Sequence, residues 1–222
     1  MEKYDENIFA RGLSFFGRTN RLISHEMKNV LAIISETTSL LDELVELSEE
    51  GKRLEPGKLH SLTHSILEDI DRANEIIRNM NTFAHGVDSF FADADVGFTI
   101  KVMINISRMN AAARKAQLDF PEPAPLVIFT IPFVLQNLLY ETLNGILSGA
   151  DTAAQIRISL ETEQNGACIR IKGTDYEFAR LFIKDKAVFY KKNIGANFHF
   201  EPDTQEMLIR LPDRIEEPDK LE

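Results

Sequence analysis

The sequence predicts an α+β protein, an N-terminal antiparallel helical hairpin followed by an α/β sandwich. Three observations lead there. From about Asn7 to Glu50 there is no proline, and apolar residues recur in steps of four and three. Gly51, Pro56 and Gly57 interrupt that pattern, after which it resumes as far as Phe83. Beyond residue 94 helix-period and strand-period segments interchange, the mark of helices laid on a mixed sheet.

The first helix carries its stripe at Ile23, Met27, Val30, Ile34, Leu41 and Leu44, with Thr37 filling the missing step. The second carries Leu59, Leu62, Ile66, Ala73, Ile76, Met80 and Phe83. Two helices bury one face against each other, yet Leu22, Ile33, Leu40, Leu67, Ile70 and Ile77 widen both stripes. A second copy of the hairpin would cover that surplus, so a homodimer joined through a four-helix bundle is expected. Residues 1–86 make up this part, and residues 87–94 read as a linker in which Phe90 and Phe91 pack on a neighbour.

Residues 95–213 form the second domain. Ile100 to Ala116 reads as a helix, LDF and PLVIF as short strands around a proline-rich turn, and Ile131 to Leu147 as another helix. QIRISLET and ACIRIKG alternate and are joined at Glu163 to Gly166, where Asn165-Gly166 signals a hairpin. A helix from about Glu177 to Lys192 and a closing pair, ANFHFEP and EMLIRLP, complete the sandwich, with an acidic tail over 214–222.

Composition bounds the function. A net charge of -10 excludes a nucleic-acid surface, because phosphate contacts need clustered Lys and Arg. The longest apolar runs contain prolines and fall short of the roughly 20 residues that span a bilayer, so no membrane segment is expected. MEKYDENIF is acidic where a signal peptide is basic, and a single cysteine, Cys168, leaves no disulfide framework. Both point to the cytoplasm. Cys168 itself sits in an alternating run and reads as a buried strand residue.

The chemistry concentrates in SHEMKNVLAII, Ser24 to Ile34. At about 100° per residue, His25 lies about 200° from Ile23 and faces away from the stripe. Asn29, one turn on, shares its face, and Ala32 beyond it is small. A neutral imidazole nitrogen is a nucleophile near neutral pH, and a carboxylate such as Glu26 can hold the reactive tautomer. The Asn29 amide can orient a water or an attacking carboxylate. On spacing alone, a surface histidine without a role remains the simpler reading.

SHEMKN ahead of an apolar helix resembles the phosphoacceptor box of bacterial sensor histidine kinases, and RANEIIRNMNTFAH, Arg72 to His85, is similar to the end of their second helix. Asp95 to Asn137 and EMLIRLP resemble the start and closing strand of their ATPase domain. The resemblance implies that His25 is phosphorylated, that Glu26 is its acid/base partner and that Asn29 aids dephosphorylation. Val30 stands where the family usually has proline, which removes a helix bend.

Against the family's nucleotide motifs the chain departs three times. NLLYET keeps Asn137 but places Glu141 at the metal-binding asparagine, with Asn144 only three residues away, where a small register shift could present it instead. IKGTDYEF puts Gly173 at the adenine-reading aspartate, and Asp175 and Glu177 where glycines admit the nucleotide. No glycine lies between Gly173 and Gly195, and nothing separates IRIK from the next helix that could form a lid.

Taken together, the resemblance is to the dimeric histidine phosphotransferases of phosphorelays. It implies a carrier that shuttles phosphate between response-regulator receiver domains without ATP or any intrinsic cofactor, the Mg²⁺ being supplied by the receiver's acidic pocket. An upstream histidine kinase is a further expected partner. With no sensor domain attached, input would arrive through a partner or a small molecule. A divergent ATP-dependent kinase using Asn144 and Asp175, and a non-catalytic module that regulates a receiver by occupancy, are the alternatives.

Remaining residues have plainer readings. His60 and His64 have zinc spacing but no third ligand nearby, and His85 and His199 read as a helix-end and a strand residue. Phe15 and Phe16 extend the helix upstream of His25, either closing the dimer core or offering a receiver an apolar contact.

Overall fold

A computed structural model describes residues 7–53, 55–114, 117–149 and 155–216. The chain divides into two compact units, Arg18–Thr82 on the one hand and Met1–Gly17 with Phe83–Glu222 on the other.

Helix α1 spans Asn7–Glu49 and α2 spans Pro56–His85. The break between them is a C-cap. Gly51 has φ +86°, its N–H donates to Ser48 O at 3.0 Å, and the Lys52 N–H donates to Leu47 O at 3.0 Å. This pair of bonds satisfies the last carbonyls of α1 and needs a residue free to adopt positive φ. Within Arg18–Thr82 the stripe holds as expected: Ile23, Val30, Thr37 and Ile76 are buried, and Met27, Ile34, Leu41 and Ile66 are half-buried. Met80 departs from it, at 36% exposed. Ile33, Leu40, Leu67, Ile70 and Ile77 are exposed, whereas Leu22 is half-buried. A single hairpin therefore carries an apolar face that it cannot cover itself.

The larger unit holds β1 (Ala92–Asp95), α3 (Val96–Arg114), β2 (Gln117–Asp119), β3 (Val127–Thr130), α4 (Pro132–Gly149), β4 (Gln155–Glu163), β5 (Gly166–Lys172), α5 (Tyr176–Ile194), β6 (Asn197–Glu201) and β7 (Glu206–Pro212). Five strands form one sheet in the order β2-β4-β5-β7-β6, with β2 parallel to β4 and the other pairs antiparallel. The sheet's two faces differ in chemistry. Ile156, Ile158, Ile169, Ile171, Met207 and Ile209 are buried on one of them. On the other, Arg170 pairs with Glu161 at 2.9 Å and Arg210 with Glu163 at 3.0 Å. Helices thus cover one face only, as the alternation predicts. Cys168 is fully buried in β5.

The β4–β5 connection is the hairpin read from Asn165-Gly166, with Glu163 opposite Gly166. Glycine is required at its end. A Cβ on Gly166, at φ +143°, would stand 2.0 Å from Leu211 O on β7.

Four expectations need correction. The segment read as a linker over 87–94 contains most of β1, which pairs antiparallel with β3 from Ala92↔Thr130 to Asp95↔Val127. LDF and PLVIF, read as strands around one turn, belong to different sheets, because the prolines carry the chain from β2 away to β3. The C-terminal tail starts later than 214, since Ile215 is 8% exposed and its N–H donates to Phe129 O at 3.0 Å. Residues 217–222 lie outside the described residues, as do Lys115 and Ala116 of the helix read to Ala116.

The fourth correction concerns the hairpin's ends. The first turns of α1 and the last residues of α2 belong to the larger unit, although residues 1–86 read as one hairpin domain. Aromatic packing is the reason. Phe15 is fully buried, with its ring centroid 5.3 Å from Phe83, 5.2 Å from Phe133 and 5.2 Å from Tyr140. Arg11 lies over the Phe189 ring at 4.4 Å. Phe16 stacks on Phe83 and lines an apolar cleft of ≈ 410 Å³. Phe90 and Phe91 pack on one another at 4.9 Å, and Phe91 stacks on Phe129 at 6.3 Å.

Candidate functional site

His25 is exposed on α1, and its neighbours follow from an unbroken helix. With Val30 in place of proline, every N–H from residue 26 to 30 remains available to the ladder, so i and i+4 side chains meet. Asn29 Nδ2 lies 3.2 Å from His25 Nδ1. Ala32 is exposed one turn further on. The three residues read from SHEMKN therefore lie within two turns of one helix, but not in the arrangement the resemblance implies. Glu26 is turned about 100° from His25, its side chain is 16% exposed, and it accepts a hydrogen bond from Arg72 Nη2 on α2. Among the described residues, the ring's hydrogen-bond partner is Asn29 and the partner of Glu26 is Arg72.

Arg72 escaped the sequence reading as a site residue. In the sequence it is only the first residue of RANEIIRNMNTFAH, and helix periodicity says nothing about which residue of one helix faces which of the other.

The positions that the sequence resemblance sets against nucleotide motifs lie in the larger unit. Asn137, on α4, is 4% exposed and its Oδ1 has no hydrogen-bond partner. Glu141, one turn on, is held from α5: Tyr190 Oη donates to its Oε2 at 2.9 Å, and Lys186 Nζ lies 3.2 Å from the same oxygen. Asn144 Nδ2 donates back to Tyr140 O at 2.9 Å. Gly145 is covered, since a Cβ there would stand 2.0 Å from Phe178 Cε2.

The strand-to-helix connection explains that cover. Gly173, at φ +86°, turns the chain and donates its N–H to Gln205 O at 3.2 Å. Asp175 is the N-cap of α5, its Oδ1 accepting from the Phe178 N–H at 3.0 Å. Glu177 occupies the first turn beside Arg180, 2.6 Å away, which lowers its carboxyl below the usual range. Only Gly173, Thr174 and Asp175 separate β5 from α5. Phe178 and Phe182 then continue an aromatic row to Phe198 on β6. No sequence signal paired Lys186 or Tyr190 with Glu141, because they lie more than forty residues away on another helix.

Among the other histidines, His64 Nδ1 lies 3.3 Å from Glu68 and His85 Nδ1 lies 2.7 Å from Asp88, all four side chains being well exposed. No helix among the described residues is long and apolar enough to cross a membrane.

No family model matches the chain, and no curated protein matches it. Solved structures do. Its structural neighbours are histidine kinase catalytic domains and a phosphotransferase. A bacterial phosphotransferase is similar at 12% identity and a TM-score of 0.49, over 90% of this chain and 96% of that one. The Acinetobacter baumannii histidine kinase AdeS is similar at 11% identity and 0.45, over 85% and 97%. The catalytic domain of histidine kinase ThkA is similar at 10% identity and 0.48, over 57% and 99%.

Proposed function

We propose that the protein is a histidine phosphotransferase of a two-component phosphorelay, in which His25 takes a phosphoryl group from one receiver-domain aspartate and passes it to another without ATP. The observation that carries this reading is the state of Glu141. Its carboxylate, at the position of the family's metal-binding asparagine, already holds Lys186 and Tyr190.

A nucleotide does not fit the residues present. Phe178 lies against α4 at Gly145, the residue after Asn144, and the Asp175 carboxylate caps α5. The three residues from β5 to α5 leave no length for a lid. Asn137 Oδ1 is buried without a hydrogen-bond partner among the described residues.

At the other end of the reaction, the exposed His25 ring is open to a docking protein, and one nitrogen is held by Asn29. With the ring proton on Nδ1, the Nε2 lone pair attacks phosphorus, the P–O bond of the aspartyl phosphate breaks, and the receiver's carboxylate leaves. Return transfer reverses these steps. The Mg²⁺ such chemistry uses arrives with the receiver's acidic pocket.

Exposed Ile33, Leu40, Ile70 and Ile77 support a homodimer, since a second hairpin would cover them. The net charge of -10 leaves proteins rather than nucleic acids as partners.

The experiment compares ATP and phosphorylated receivers, each labelled with ³²P. The proposal expects label from a phospho-receiver, none from ATP, and none in His25→Gln. Autophosphorylation from ATP would establish the kinase alternative, and tight receiver binding that survives His25→Gln without any labelling would establish the regulatory module.

A further inference from the structure

We propose that Asn29, not Glu26, is the positioning residue that sets the reactive tautomer of His25, and that Arg72 enforces this by drawing the Glu26 carboxylate away from the ring. The inference rests on the phosphotransfer reading and names the groups that prepare the nucleophile.

Two contacts carry it. Asn29 reaches the ring at 3.2 Å from Nδ1, across one helical turn. Glu26, the residue with the charge to do the same, is bound to Arg72 from the facing helix and is mostly buried there. A guanidinium is a fork that holds a carboxylate in a fixed direction. The direction here is across the hairpin, toward α2.

An amide can present either its NH₂ or its carbonyl oxygen to the ring. With NH₂ toward Nδ1, that nitrogen accepts, the proton sits on Nε2, and the outer nitrogen has no lone pair for phosphorus. With Oδ1 toward the ring, Nδ1–H donates, and the Nε2 lone pair points outward. The structure has the first setting, with Nδ2 at the ring; a half-turn of the amide places Oδ1 at the same point and gives the second, which is the reactive one. When Nε2 takes the phosphoryl group, the P–N bond forms, the acyl P–O bond breaks with its electron pair on the receiver's carboxylate, and the Nδ1 proton stays on the ring. The imidazole becomes a cation beside a neutral amide.

That neutrality suits a carrier. A carboxylate at Nδ1 would stabilise the cationic ring and hold the phosphoryl group on the histidine. Asn29 orients the ring without that charge, so the phosphohistidine keeps the energy to pass its group to the next aspartate.

The test reads the ring directly. With ¹⁵N-labelled histidine, long-range ¹H–¹⁵N correlation at a pH where free imidazole is neutral reports which ring nitrogen carries the proton. The proton is expected on Nδ1 in the unaltered protein and in Glu26→Gln. Asn29→Ala should move it to Nε2 and slow labelling from a phospho-receiver about 10- to 100-fold, the usual loss when an orienting partner is removed. Asn29→Asp should keep it on Nδ1. In the double variant Asn29→Ala/Arg72→Gln the released Glu26 should return it to Nδ1.

An Nε2 proton in the unaltered protein, no change in Asn29→Ala, or a shift in Glu26→Gln would overturn the assignment. A double variant that stays on Nε2 would overturn the part given to Arg72. Should the tautomer pattern hold in a protein that no phospho-receiver labels, Asn29 is upheld as the ring's partner and the phosphotransfer reading falls alone.

Discussion

The hydroxyl of Tyr190, a fully buried residue of α5, donates to Glu141 Oε2 on α4 at 2.9 Å. This bond ties α4 to α5 through the carboxylate that the sequence resemblance sets at a metal-binding asparagine position. Tyr190→Phe removes the donor and leaves a charged acceptor short of one partner. We expect a loss of about 1.5–3 kcal/mol, the range for hydrogen bonds to charged groups, read as a lower urea midpoint at unchanged slope. On the proposed reading, Glu141→Asn should not produce ATP binding by calorimetry, because Phe178 and the short β5–α5 turn remain.

Gly145 and Phe178 should behave as one unit. Gly145→Ala puts a methyl group where the Phe178 ring lies and is expected to cost about 1–3 kcal/mol, as overpacking does. Adding Phe178→Leu should recover part of that loss. A double-mutant cycle from denaturation midpoints measures the coupling, and additive losses would count against the close approach.

Phe15 should matter to the larger unit more than to the hairpin. Phe15→Ala empties a site shared with Phe83, Phe133 and Tyr140, for an expected cost of about 3–5 kcal/mol. Hydrogen exchange should show α4 losing protection while residues around Thr37 keep theirs.

The Cys168 thiol is pushed up from its ordinary value, first by burial in β5 and then by Glu163. A raised folded-state value means that the unfolded chain gives up the proton first. The associated stability is present below the ordinary thiol value and declines as pH rises through it. In the folded protein Cys168 should resist a thiol reagent at mildly alkaline pH, and it should react at the rate of unfolding when denaturant is added.

The exposed apolar face of the hairpin predicts a dimer in sedimentation. Ile33→Glu with Ile77→Glu should shift the protein to monomer while leaving its helical circular dichroism signal in place.

Periodicity was a good guide where one face decides the structure. The α1 stripe from Ile23 to Thr37, the capping Gly51 and the β4–β5 hairpin at Asn165-Gly166 all follow from local rules, since a helix or strand must bury its apolar side whatever packs on it. The short strands were less legible. Ala92–Asp95 has neither β-branched residues nor length, and it pairs because β3 offers an unsatisfied edge. Phe15 and Phe83 likewise gave no sign of their unit, because an aromatic at the end of a helical stripe looks the same whether it packs on the hairpin or beyond it.

His25 separates the two kinds of knowledge. The amino-acid order alone established that it lies outside the apolar stripe with Asn29 one turn away, because helix geometry converts sequence spacing into direction. It also brought Glu26 next to it in the chain. Only the tertiary structure decided which of the two attends the ring. The choice depends on Arg72, forty-six residues further on and brought alongside by the hairpin, and an ion pair across two helices has no local spacing from which to be read.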